Sequence, residues 1–210
     1  FNNYEGLIKY KNLLKMCISV NKAKLSGTKI MSLPLENGNH FLAYSNKVQN
    51  QSDRPNAMIL PIPGKVKQEW FYNTEKYKNF LEEITEKCDH EQDYLGIRSR
   101  GISKGFKSLS HFDLGMYHIV ISDSFLGVLE YIAGLPEHKR PEISQELQKF
   151  FYEKYSGWSF AVCMFSSYKA IDAQPIALEY TPFNYDLLYF PTVDAHDGNA
   201  PNLNERVDTD

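Results

Sequence analysis

The spacing of apolar residues changes period several times along the chain, and each change marks an element. Tyr77, Phe80, Leu81, Ile84 and Cys88 recur at i, i+3, i+4, i+7 and i+11, which is one face of a helix at 3.6 residues per turn. Lys78, Glu82, Glu83, Glu86 and Lys87 fill the other face, and Asn73 or Thr74 stands where a cap belongs. A second helical stripe is Phe125, Val128, Leu129 and Ile132, opened by Asp123-Ser124 and stopped at Gly134. A third is Ile143, Leu147, Phe150 and Phe151, with Pro141 suited to the first helical position and Ser156-Gly157 at the end.

Strand signals flank these helices. Leu13, Leu14, Met16, Ile18 and Val20 form an irregular apolar run that starts like helix and ends like strand. Thr28–Leu33 reads as a short strand stopping at Pro34. The turn signal Glu36-Asn37-Gly38-Asn39 follows, and His40–Tyr44 resumes as strand. Residues 45–55 read as a polar loop. The run from Ala57 to Ile62 has the look of a buried strand, with Pro61 assigning it to an edge or marking where pairing stops. Tyr117–Ile121 is β-branched and strand-like. Trp158–Phe165 is a nearly continuous apolar run expected to be a central strand, with Pro175–Tyr180 as its antiparallel neighbour and Leu187–Val193 as a third strand. The elements do not alternate as βαβ units would. The expected fold is therefore α+β, a mainly antiparallel sheet with about three packed helices. The expected organisation is one domain over residues 1–198 and a polar tail or arm over 199–210.

The 210 residues suit one domain that buries a sizeable core. With 14 Tyr and 13 Phe, that core is expected to be built largely from rings. A net charge of −3 disfavours a chain coated for nucleic acid or an anionic membrane. No apolar run reaches the ~20 residues needed to span a bilayer as a helix. Cys17, Cys88 and Cys163 are widely separated and odd in number, which points to a reducing, cytoplasmic setting and away from a disulfide framework or zinc ribbon. The sequence opens at Phe1 rather than Met, with no charged-then-apolar signal pattern, which reads as a chain that is processed, trimmed or incompletely represented.

Three stretches carry a resemblance. Asn56–Pro61 reads NAMILP, Phe190–Gly198 reads FPTVDAHDG, and Gly157, Phe160, Ala161 and Val162 lie between them. Their order resembles an uncharacterised family of globular proteins. The resemblance implies a single domain from about residue 30 to 198 and, since that family has no assigned activity, transfers no catalytic residue.

The chemistry-bearing residues concentrate after Pro191. Asp194, His196 and Asp197 sit against Gly198, a mixture used by divalent metal sites and by acid–base catalysis. His196 and Asp197 are the catalytic candidates, and all three are metal-ligand candidates. The spacing fails the EF-hand pattern, because Val193 and Asn204 occupy positions where that loop needs carboxylates. The competing expectation is an Asp-Gly turn whose side chains cap backbone N–H groups. Arg98, Arg100, Lys104 and Lys107, interleaved with Gly101, Gly105 and Phe106, are a second candidate, for binding phosphate. No Walker A or GxGxxG pattern accompanies them, so a solvated basic loop is the plainer reading. In Cys88-Asp89-His90-Glu91 the cysteine completes a helical stripe and the others suit a solvated helix end. His111, Asp113 and His118 are weaker signals, His118 reading as a hydrogen-bonded structural histidine in a strand, and no G-x-S-x-G, H-E-x-x-H or kinase signature occurs. The leading expectation is a non-enzymatic domain that binds another macromolecule, a protein rather than nucleic acid, without a cofactor. The alternative is a metal-dependent, hydrolase-like enzyme centred on Asp194, His196 and Asp197.

Overall fold

A computed structural model describes residues 18–88 and 109–203. Among them, two five-stranded antiparallel sheets lie back to back, with α-helices on their outer faces. The first sheet has the order β1 (Ile18–Ser19), β4 (Asn56–Ile62), β8 (Ser159–Phe165), β7 (Tyr117–Ser122), β6 (Leu109–Leu114). The second has the order β2 (Ala23–Pro34), β3 (His40–Asn50), β10 (Ile176–Pro182), β5 (Gly64–Lys65), with β9 (Ile171–Asp172) also pairing with β3. The described residues adopt the expected α+β class, with a mainly antiparallel arrangement and, among them, three α-helices.

Alternation along each strand explains the layering. In β4, Met58, Leu60 and Ile62 point between the sheets, where they meet Leu42, Tyr44 and Val48 of β3 and Ile176, Leu178 and Tyr180 of β10. Ala57 and Ile59 point the other way, under α2 (Phe125–Ala133) and α3 (Gln145–Lys154). Strand β8 is divided likewise, with Ala161, Cys163 and Phe165 inward and Phe160, Val162 and Met164 toward the helices. Such strands are covered on both faces and so read as unbroken apolar runs. Burial also pushes the Cys163 thiol well above the usual range, consistent with a packing residue rather than a nucleophile. The outer face of the second sheet carries Phe41, Ala43 and Ala177, against which Leu81 of α1 (Phe80–Cys88) packs.

Several local expectations are corrected. Pro175–Tyr180 does not neighbour β8: it is the body of β10, in the opposite sheet between β3 and β5. The true neighbours of β8 are β4 and β7. Residues 45–50 are not loop but the second half of β3, because Asn46, Val48 and Asn50 alternate inward. Asn50 earns its burial by donating to Arg54 O at 2.7 Å and accepting from Ser52, so its polar side chain costs little there. Strand β2 runs well beyond Thr28–Leu33, interrupted by a bulge between Ser26 and Lys29 at which Gly27 takes a φ of 62°. The first helix begins only at Phe80, after a separate turn at Glu75–Tyr77 before which Asn73 Oδ1 accepts from Glu75 N, while Thr74 makes no cap bond and donates Oγ1 to Pro175 O. Helix α3 starts at Gln145 under a Ser144 cap, not at Pro141. Pro61 proves compatible with an inner strand: the two-residue β1 pairs only with Met58 and Ile59, so nothing there requires a Pro61 N–H.

Candidate functional site

Residues 183–199 follow β10 and return to β1, where Ala195 bridges Ile18. Leu187–Val193, expected as a strand, joins no ladder: the segment is irregular, with Tyr189, Pro191 and Val193 less exposed than their neighbours within it. Tyr189 turns inward, and burial, with Tyr155 and Tyr180 nearby, drives its phenol far above the ordinary range. Its ring lies 5.4 Å from that of Trp158, which in turn meets Tyr155 at 5.0 Å. Phe183, Tyr185, Leu187, Leu188 and Phe190 face solvent instead, Leu187 at 65% and Phe183 at 56% of their full exposure.

This stretch is nevertheless held firmly. Tyr185 O accepts from Nε2 of the buried His40 at 2.9 Å, which fixes the proton on that nitrogen. Tyr185 Oη donates to Leu35 O at 3.1 Å. The turn that carries Leu35 is itself pinned, because Asn37 and Asn39 each donate an amide to the buried Glu179, as does the Tyr72 hydroxyl. A rigid backbone therefore displays five large apolar side chains.

Beyond Pro191 the chain becomes a clasp. Ser19 N donates to Ala195 O and Ala23 N to His196 O, both at 2.8 Å, and Ser144 Oγ donates to Gly198 O at 2.9 Å. Ser144 is also the cap of α3, accepting from Leu147 N, so one hydroxyl joins the helix start to the clasp. Gly198 has a φ of 83°, and a Cβ there would stand 2.6 Å from Val20 O; no other residue fits. The structure brings Asp194 and His196 together, Oδ1 to Nε2 at 2.7 Å, with side chains 20% and 18% exposed. Asp197 turns to the bend that follows it, where Asn199 donates its backbone N–H at 3.0 Å and its amide at 2.7 Å. Those bonds, the backbone one foremost, hold the Asp197 carboxyl below the usual carboxylate range. Among the described residues, no three His, Cys, Asp or Glu side chains gather as a metal would need.

A carboxylate whose folded pKa is depressed adds stability above its unfolded value and loses it as the pH falls through the folded one. Asp197→Ala is therefore expected to lower stability by about 0.5–1 kcal/mol at neutral pH, the size of a cap-like bond on an exposed turn. The deficit should shrink in acid, as shown by urea midpoints of the two proteins at neutral and acidic pH.

The basic candidates Arg98, Arg100, Lys104 and Lys107 lie outside the described residues, as do Asp89, His90 and Glu91. Two features escaped the reading of the sequence. The exposed apolar residues of 183–190 have the composition of a strand, and only Pro182 and Pro191 hint otherwise. Asp113 and His118 carry no shared signal in the sequence, although a tight turn at Gly115-Met116 sets them directly opposite in the β6–β7 hairpin.

No protein-family model matches this chain, and no curated protein does. Among solved structures it is similar to the crystal structure of baculovirus P35, with 20% identity over 80% of this chain and 56% of that one, at a TM-score of 0.42. It is also similar to a mutated baculovirus P35 after caspase cleavage, with 19% identity over 74% and 56% of the two chains, at a TM-score of 0.40. The chain thus spans little more than half the length of the solved chains it resembles.

Proposed function

We propose that this domain works by binding a protein partner through the apolar face of residues 183–190. The observation that carries the reading is the display of Phe183, Tyr185, Leu187, Leu188 and Phe190 to solvent on a backbone anchored by His40 and Leu35. Large apolar side chains concentrated and exposed within eight residues are costly in water and suit an interface, where buried aromatic anchors supply much of the binding energy. A pre-anchored segment also loses little conformational freedom on association, which favours affinity. The clasp supports the same reading, since the Asp197 carboxylate of the Asp194, His196 and Asp197 cluster is engaged by Asn199. No helix among the described residues is long and apolar enough to cross a membrane. A cytoplasmic setting belongs to this proposal, supported by the three dispersed cysteines.

The test pairs function with stability. Replacing both Leu187 and Leu188 by Ser is expected to change unfolding stability by no more than about 0.5 kcal/mol, as for surface positions. A photo-crosslinking residue at position 188 should capture one stoichiometric protein partner, and the double variant should release it. A double variant that unfolds like a core mutant, and a position 188 that crosslinks only within its own chain, would show that the segment serves the fold instead.

A further inference from the structure

The β6–β7 hairpin and helix α2 assemble a row of three polar groups that the binding surface does not use. Asp113 and His118 stand opposite each other across the hairpin, with Asp113 Oδ1 2.6 Å from His118 Nδ1. The other ring nitrogen, Nε2, lies 2.7 Å from Tyr131 Oη on α2. A carboxylate accepts only, so Nδ1 carries a proton toward Asp113; in the neutral ring Nε2 is then the acceptor for the Tyr131 hydroxyl. The His111 ring closes the group, 5.0 Å from Tyr131 and 5.5 Å from His118. Tyr131 also lines an open cavity of about 400 Å³, with Leu109 and Leu126 as apolar walls and Ser122, Ser124 and Glu130 as polar ones.

We propose that Tyr131 is a site of covalent modification, its phenol oxygen taking an acyl- or sulfonyl-type group from a small electrophile whose apolar body seats in this cavity. His118 is the base, and Asp113 is a positioning residue that holds the imidazole in the accepting tautomer. Such a row, a hydroxyl bonded to a base that a third group orients, is how a weak nucleophile is activated. In the step itself, Tyr131 Oη forms a bond to the electrophilic carbon or sulfur, the bond to the leaving group breaks, and the phenol proton passes to His118 Nε2 and then to solvent. Burial, and next the charge of Asp113, raise the phenol above its ordinary range, so the resting group is neutral and becomes reactive only as its proton leaves toward His118. Neighbouring charge does not produce a free phenolate here; the base is required.

Phenylmethylsulfonyl fluoride is a suitable probe, its benzyl group matching the apolar walls, with fluoride as the leaving group. The modified tyrosines of the intact chain are quantified by peptide mass spectrometry, using Tyr77 and Tyr168 as internal references because both are more exposed, at 66% and 60%. Tyr131 is expected to react about 10²-fold faster than either reference, the usual worth of a positioned base. His118→Gln should bring it down to the rate of the references without altering them. Asp113→Asn should lower it part of the way, and Asp113→Glu should restore most of the loss. With His118→Ala, added imidazole should recover the labelling at Tyr131 alone. Should the His118 variants unfold, the largely exposed Asp113 carries the same comparison. A wild-type Tyr131 that labels no faster than Tyr77, or a Tyr131 rate indifferent to His118→Gln and Asp113→Asn, overturns the proposal.

Discussion

Val162→Asp is expected to remove about 4–5 kcal/mol or more of stability, enough to unfold a domain of ordinary stability outright. Val162 is fully buried in the middle strand of the first sheet, paired with Ile59 on one side and Val120 on the other, and its side chain points under the helices. A carboxylate placed there meets only apolar neighbours, so it is either charged without a partner or neutral at the cost of an elevated pKa. That second route sets the sign of the pH dependence. The folded variant holds its proton to higher pH than the unfolded chain does, so the penalty is mildest in acid and grows as the pH rises through the ordinary carboxylate range toward the elevated value. Val162→Thr, nearly the same shape, should cost about 1–3 kcal/mol for its single hydroxyl. Urea unfolding of the three proteins at acidic and neutral pH measures both effects. An aspartate variant with an unshifted midpoint would mean that this strand is not core.

The next largest loss is expected at Phe151, where replacement by Ala should cost about 3–5 kcal/mol. Its ring is fully buried and touches aromatic rings from three elements: Phe125 of α2 at 4.8 Å, Phe160 of β8 at 5.7 Å, and Phe150 of its own helix at 5.6 Å. Tyr155 closes the cluster at 5.8 Å. Removing the ring loses its transfer energy and leaves a cavity that neighbours held by a five-stranded sheet cannot fill. Phe151→Leu, which keeps most of the volume, should cost about 1.5 kcal/mol. Thermal unfolding distinguishes the two. A loss below about 1 kcal/mol for the alanine variant would show that α3 can resettle on the sheet.

The parts of this fold legible in the sequence are those where one physical rule acts alone. Helix α2 has a cap, an apolar stripe and a glycine stop, and it forms where they say. Strand β8 is apolar throughout because it is covered on both faces. Reading failed where a second rule overrode the first. The buried Asn46 and Asn50 look like loop residues by polarity, yet the hydrogen bonds they make let them sit inside β3. Pairing β8 with the next apolar run follows the habit of sequential strands to be neighbours, but β9 carries the chain across to the other sheet first. For the candidate site, Asp194, His196 and Asp197 are legible as a cluster from spacing alone. Their directions are not, since these depend on Asn199 and on backbone groups of Ser19 and Ala23 far away in sequence. The row from Asp113 to Tyr131 joins a hairpin register to a helix, and no one-dimensional motif spells that.

The clasp at residues 195–198 has a bearing on how the molecule comes into being. Strand β1 and the loop after it are among the earliest described residues, yet they donate to Ala195 and His196 near the far end, and the start of α3 leans on Gly198. A chain emerging from the ribosome in order can therefore assemble β4, β7 and β8 with their helices while one margin of that sheet stays unsealed. The seal arrives only after β8, with the same stretch that displays the apolar face. During synthesis, the margin around β1 and the surface of residues 183–190 are thus completed together, and until residues 195–198 emerge both are open to wrong association.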